Sequence, residues 1–71
     1  MNDEEAILAL ERMGYDYVIW KRGDNAYTCI IDPEFGYCME LMSTKAMAEG
    51  KVLSVVVFAA INKLHTAAEE L

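Results

Sequence analysis

The chain is most informative at Val52-Leu53-Ser54-Val55-Val56-Val57-Phe58-Ala59-Ala60-Ile61, where nine of ten residues are apolar. On a helix these side chains would cover every face, whereas a chain of 71 residues has one small core and buries one face of such a segment. The surplus apolar surface needs a second layer of the same fold or another protein chain. This stretch therefore favours a protein that acts by interaction.

The spacing of apolar residues predicts a helix here. A stripe with alternating steps of four and three runs to the C-terminus, and it consists of Leu53, Val57, Ala60, Leu64, Ala67 and Leu71. Phe58 and Ile61 lie on an adjoining line. Four further apolar residues lie on other faces of the helix, and we predict that they form a self-interface: Val52, Val55, Val56 and Ala59. The alternative is a strand over Val52–Phe58, because β-branched residues crowd this region. A strand covered on both faces would leave no surplus patch.

A second helix is predicted at the N-terminus, over about residues 3 to 13. Asn2 is a suitable N-cap, and Glu5 follows three residues later as in a capping box. The acidic residues at positions 3 to 5 suit the positive end of a helix. Gly14 is a natural residue with which to end the helix.

A β-hairpin is predicted next, with strands over Tyr15–Arg22 and Ala26–Ile31 around a turn at Gly23-Asp24-Asn25. Alternation places large apolar side chains on both faces of the first strand. Tyr17 and Trp20 are therefore candidate interface residues, since Tyr and Trp are favoured anchors there.

The segment Tyr37–Met42 is predicted as a third strand, because Pro33 interrupts the second one. A helix starting at Pro33 is the alternative, although Gly36 weakens it. Ser43 or Thr44 is expected to cap the final helix, with a break at Gly50 left open. The sequence thus predicts one α+β domain over residues 1–71, of order α-β-β-β-α, with a three-stranded antiparallel sheet packed on helices.

Charge narrows the functional classes. The net charge is −6, from twelve acidic and six basic residues, and binding to the nucleic-acid backbone requires clustered cations. We expect no direct nucleic-acid binding. An acidic surface suits a basic protein partner, and Glu34 and Glu40 are the residues expected to face it.

The compartment is predicted to be the cytoplasm. The N-terminus is acidic, unlike a signal peptide, and the longest apolar run, Val55–Ile61, has seven residues against about 20 needed to cross a bilayer. The thiols are expected to be reduced, and no membrane association is expected.

No catalytic, cofactor-binding or metal-binding residues are predicted. Cys29, Cys38 and His65 supply three ligands at most, without the spacing of a zinc site. A cysteine nucleophile paired with His65 would make an enzyme, and this is one alternative function. A nucleic-acid-binding module is the other. Core packing explains Cys29 more simply.

A longer pattern resembles HicB-type antitoxin domains. It consists of Tyr27-Thr28-Cys29-Ile30-Ile31-Asp32-Pro33-Glu34-Phe35-Gly36-Tyr37-Cys38, followed by Thr44 and a helix, and it covers about residues 17 to 64. The family's second turn proline is missing here. The resemblance implies an oligomeric protein that binds and blocks a small basic RNA-cleaving toxin.

Two further similarities concern the overall plan. The element order resembles the double-stranded-RNA-binding domain, but only Lys45 and Lys51 lie where that domain needs a basic helix start. The compact acidic plan is also similar to small bacteriophage proteins. The sequence therefore predicts a small acidic regulatory protein, inhibitor-like or antitoxin-like and homo-oligomeric, with a basic protein such as a nuclease as its partner.

Overall fold

The computed structural model describes residues 2–23 and 26–69. Two helices and five strands follow one another in the order α1 (Asp3–Glu11), β1 (Tyr17–Arg22), β2 (Ala26–Ile31), β3 (Glu34–Phe35), β4 (Leu41–Ser43), β5 (Ala46–Gly50) and α2 (Leu53–Glu69). β1, β2 and β5 form a three-stranded antiparallel sheet in the order β1-β2-β5. α2 packs on β2 and β5, and α1 packs on α2. The predicted α+β class and three-stranded sheet are confirmed, with two additional short strands.

α1 begins as its sequence predicts. The Asn2 Oδ1 atom accepts a hydrogen bond from the Glu5 backbone N–H at 2.8 Å, which satisfies one of the free donors at a helix start. The helix ends at Glu11, two residues earlier than expected, and a turn follows. Gly14 has φ +79° in that turn, a conformation that favours glycine.

The main hairpin is confirmed, with Tyr17 opposite Ile31 and Arg22 opposite Ala26. β2 has the predicted bounds, whereas β1 begins at Tyr17, two residues later than predicted. Asp24 and Asn25, which were assigned to its turn, lie outside the described residues. One face of the hairpin packs on the helices, and its members are Tyr17, Ile19, Tyr27, Cys29 and Ile31.

The prediction of the third strand at Tyr37–Met42 is wrong. The strand that completes the sheet is β5, where Ala46 lies opposite Ile31 and Ala48 opposite Cys29. The earlier segment contributes β4 to a separate hairpin with β3, which we call the minor hairpin (residues 34–43). Short alanines on the helix side of β5 allow close packing of α2, and such residues carry little hydrophobic signal by themselves.

The expected cap at Ser43 or Thr44 is also wrong, because α2 begins only at Leu53. The Thr44 hydroxyl instead donates to the Ile31 carbonyl at 2.7 Å and lies 3.0 Å from the Ala46 carbonyl oxygen. Thr44 therefore joins β2 to the start of β5.

α2 confirms the predicted helix and excludes the strand over Val52–Phe58. Val57 and Ala60 are fully buried, as the stripe predicts. Val56 is also buried, with 1% of its surface exposed, so the prediction that Val56 lies on the surplus face is wrong. The reason is Gly50: a Cβ at that position would lie 2.9 Å from the Val56 Cγ2 atom, so the missing side chain leaves room for Val56.

The Gly50 position gives a stability test. We expect Gly50→Ala to lower the free energy of unfolding by about 1–3 kcal/mol, because the added methyl group overpacks the contact with Val56. Urea unfolding followed by circular dichroism measures the change. Gly36→Ala is the matched control, since its Cβ would meet the flexible Met42 side chain, and a loss as large as that of Gly50→Ala would contradict this account.

Two neighbouring positions on α2 test the assignment of Val56 to the core. We expect Val56→Glu to unfold the chain, because it places an unpaired carboxylate among apolar groups. Val55→Glu should stay folded, because Val55 is 63% exposed. Circular dichroism of both variants at 25 °C measures the outcome. A folded Val56→Glu protein would contradict the assignment of Val56 to the core.

Candidate protein-binding surfaces

The minor hairpin is closed by a tight turn. The Gly36 N–H donates to the Glu40 carbonyl at 2.8 Å, and the Met39 N–H donates to the Gly36 carbonyl at 3.0 Å. Met39 has φ 59°, in the left-handed region that residues other than glycine rarely adopt. This geometry leaves Tyr37 fully exposed at the turn.

Large apolar side chains are concentrated on this hairpin. Met39 is 75% exposed and Met42 65%, so both residues and Tyr37 present most of their surface to solvent. At its base the Phe35 ring contacts the Trp20 ring of β1, with 6.3 Å between centroids. Exposed apolar groups on one short hairpin make it a candidate surface for protein interaction.

The same hairpin is acidic. Residues 34–43 contain two acidic residues, Glu34 and Glu40, and no basic residue. The Ser43 hydroxyl donates a 2.9 Å hydrogen bond to the Glu34 carboxylate. Lys45 lies beyond the hairpin, with its Nζ 3.9 Å from the Asp32 carboxylate. We call the combined feature the tip surface, and it consists of Glu34, Tyr37, Met39, Glu40 and Met42.

A second apolar area lies on α2. Val52 and Val55 are exposed and Ala59 is half-buried. Beside them is a shallow depression lined by Ser54, Val55, Phe58, Ala59 and Asn62. We call Val52, Val55 and Ala59 the α2 patch. Without Val56 it is smaller than the predicted self-interface.

The predicted interface residues thus fall on separate surfaces. Glu34 and Glu40 belong to the tip surface, and Trp20 adjoins it through Phe35. Tyr17 lies on the opposite, helix-covered face of the sheet, half-buried.

Tyr17 has a structural role. Its hydroxyl donates to the Glu11 Oε1 atom at 3.1 Å, which ties β1 to the end of α1. Desolvation, and then the hydrogen bond to the Glu11 carboxylate, raise the pKa of Tyr17. A tyrosine in this state is neutral at physiological pH and acts as a donor.

The two cysteines differ in environment. Cys29 is fully buried in the core, and burial raises the pKa of its thiol, which lowers the reactive thiolate fraction. Cys38 is exposed on the minor hairpin. His65 is exposed on α2. Among residues 2–23 and 26–69, no group of three or more His, Cys, Asp or Glu side chains is arranged to hold a metal ion.

Comparisons of the chain with protein-family models, with curated proteins and with solved structures find no match. The resemblance to HicB-type domains stays a prediction. In the part of the chain that the structure describes, no helix is sufficiently long and apolar to cross a membrane.

Sequence reasoning missed Tyr37, Met39 and Met42 as surface residues, because it assigned them to a sheet strand. The available signal was the pair Pro33 and Gly36. Each interrupts a strand, so only short strands fit around them, and the large apolar residues that follow have no sheet to cover them.

Thiol labelling tests the two cysteine environments. At neutral pH we expect one thiol per chain to react quickly with a disulfide reagent. This thiol is Cys38, and its rate should equal that of a solvent-exposed cysteine. Cys29 should react only on unfolding, because it is shielded and protonated. Cys38→Ser should abolish the fast phase, and a fast phase that survives in Cys38→Ser would show that Cys29 is accessible.

Proposed function

We propose that this chain is a small acidic regulatory protein that binds a basic protein partner through the tip surface. The observation that carries the proposal is the tip surface itself. Tyr37, Met39 and Met42 are exposed on a hairpin whose residues 34–43 include two carboxylates and no basic side chain. Apolar anchors supply most binding energy at interfaces. The charges around them select a cationic partner and speed its association.

In its concrete form, the proposal is an inhibitor or antitoxin-like protein that blocks a basic nuclease. A nuclease surface is positive where it meets the nucleic-acid backbone, and an acidic protein with an apolar tip can cover such a surface. The proposed site of action is the cytoplasm. The chain is also proposed to be homo-oligomeric, as its sequence predicts.

An enzyme with a Cys/His pair is the alternative, and the environment of Cys29 argues against that residue as nucleophile. Its thiol is shielded from solvent and its pKa is raised, whereas a catalytic cysteine needs access and a lowered pKa. Two basic side chains already have partners within the chain, which disfavours direct nucleic-acid binding as well. Lys45 lies beside Asp32, and Lys63 is bound to a backbone carbonyl.

Site-specific photo-crosslinking tests the proposed surface. A benzophenone maleimide on Cys38 places the crosslinker on the minor hairpin, and we expect it to capture a basic protein from the native cell at low salt. The control carries the same label on α2, in Cys38→Ser/Thr66→Cys, because Thr66 is exposed on that helix. Equal capture from both positions would contradict the tip surface as the binding site.

The charge requirement is tested with the captured protein after purification. We expect Glu40→Lys to weaken its binding by roughly tenfold, because the reversal puts a cation against the partner's cations. Glu4→Lys makes the same change in net charge on α1 and should have a much smaller effect. Titration calorimetry measures the dissociation constant in each case. A dissociation constant that is the same for both variants and at high salt would refute electrostatic recognition.

A further inference from the structure

The two edges of the three-stranded sheet differ. At the β5 edge, the Lys63 Nζ atom of α2 donates to the Met47 carbonyl at 2.9 Å, so part of that edge is occupied. At the β1 edge, no hydrogen bond within residues 2–23 and 26–69 uses the outward backbone groups of the strand. An open edge of six residues is a template for another strand.

The register identifies which groups face outward. In an antiparallel ladder, residues that exchange hydrogen bonds alternate with residues that do not. The Asp32 N–H donates to the Asp16 carbonyl at 2.7 Å, so residues 16, 18, 20 and 22 turn their N–H and C=O groups toward β2. The free groups on the outer edge are therefore those of Tyr17, Ile19 and Lys21.

The β5 edge of the sheet shows the same alternation of inward and outward backbone groups. Odd-numbered residues of β2 then face β5, so Met47, opposite Ile30, must turn its carbonyl outward. The hydrogen bond from Lys63 to that carbonyl confirms this assignment.

The charges along the β1 edge are self-complementary. Asp16 lies at one end of the strand and Arg22 at the other, and both are exposed. If a second β1 pairs antiparallel about a two-fold axis through Ile19, each Asp16 lies opposite an Arg22 of the other copy. Opposite charges in directly facing positions stabilise strand pairs, whereas like charges destabilise them.

We propose that a second copy of this chain docks on the β1 edge, with the two strands antiparallel about Ile19 and Asp16 facing Arg22 of the other copy. This pairing gives every free N–H and C=O of Tyr17, Ile19 and Lys21 a partner. It joins the two sheets into one six-stranded sheet. A symmetric dimer of this kind is closed, so it leads to no further addition at the same edge.

The apolar residues of β1 fit this register. Val18 and Trp20 lie on the outer sheet face, opposite to Ile19, which packs on the core. In the dimer each Val18 faces a Trp20 of the other copy, and Trp20 is 39% exposed in the single chain. Moving the axis to Val18 or Trp20 keeps the same backbone groups facing but leaves no acid opposite a base.

The first test uses proline at an outward position. Lys21→Pro removes an N–H that points to the second copy and leaves the ladder with β2 intact, because proline is tolerated at such edge positions. We expect sedimentation equilibrium to give twice the 8.0 kDa of one chain for the native protein and for Lys21→Ala. Lys21→Pro should be folded by circular dichroism and monomeric.

The second test uses a charge swap that does not depend on proline being tolerated. Asp16→Arg and Arg22→Asp should each weaken the dimer by about tenfold, since each puts like charges in facing positions twice. The double variant Asp16→Arg/Arg22→Asp should recover the native dissociation constant to within about threefold. Recovery of this kind identifies the register as well as the strand.

Three results would overturn the inference. The first is a native protein that stays monomeric up to about 1 mM. The second is a dimer that Val55→Glu disrupts and the β1 variants do not, which would place the contact on the α2 patch. The third is a double variant as weak as the single ones. The tip surface takes no part in the pairing, so Glu40→Lys should leave the dimer unchanged, and the inference stands or falls separately from the proposed function.

Discussion

The close approach of α2 to β5 is the contact on which the rest of the structure depends. The positions of β5 that face the helix are Ala46 and Ala48, followed by Gly50, which leaves room for Val56. Dispersion and hydrophobic burial both need this short distance. A chain of this size has one small core, so a loss at this contact cannot be made up elsewhere.

Burial of Val56 also changes the meaning of the apolar excess in α2. Val56 fills the space above Gly50 and so belongs to the core. The apolar residues that remain at the surface of α2 form only a small patch, which consists of Val52, Val55 and Ala59. The larger exposed apolar area lies on the minor hairpin, around Tyr37. The apolar stretch on which the prediction of an interaction protein rested is thus mostly internal, and the surface proposed for binding lies on the minor hairpin instead.

Charge is distributed differently on the two surfaces for which we propose partners. The charged residues of the tip surface, Glu34 and Glu40, are both acidic, and the proposal of a cationic partner rests on them. Asp16 directly precedes β1 and Arg22 is its last residue, and the proposed antiparallel pairing with a second β1 rests on these opposite charges. Lys63 occupies part of the opposite edge and leaves β1 as the open one. The net charge of −6 does not by itself indicate these local differences in charge.

Local signals in the sequence were sufficient for α1, with its cap at Asn2, for the main hairpin, and for the helical period of α2, because each depends on neighbours within a few residues. The third strand depended on tertiary structure. Ala46–Gly50 has weak strand propensity, and pairing with β2 together with packing under α2 makes it a strand; propensity yields to such context. The burial of Val56 and the exposure of Tyr37 followed from that placement, since a sequence period identifies faces but not what covers them.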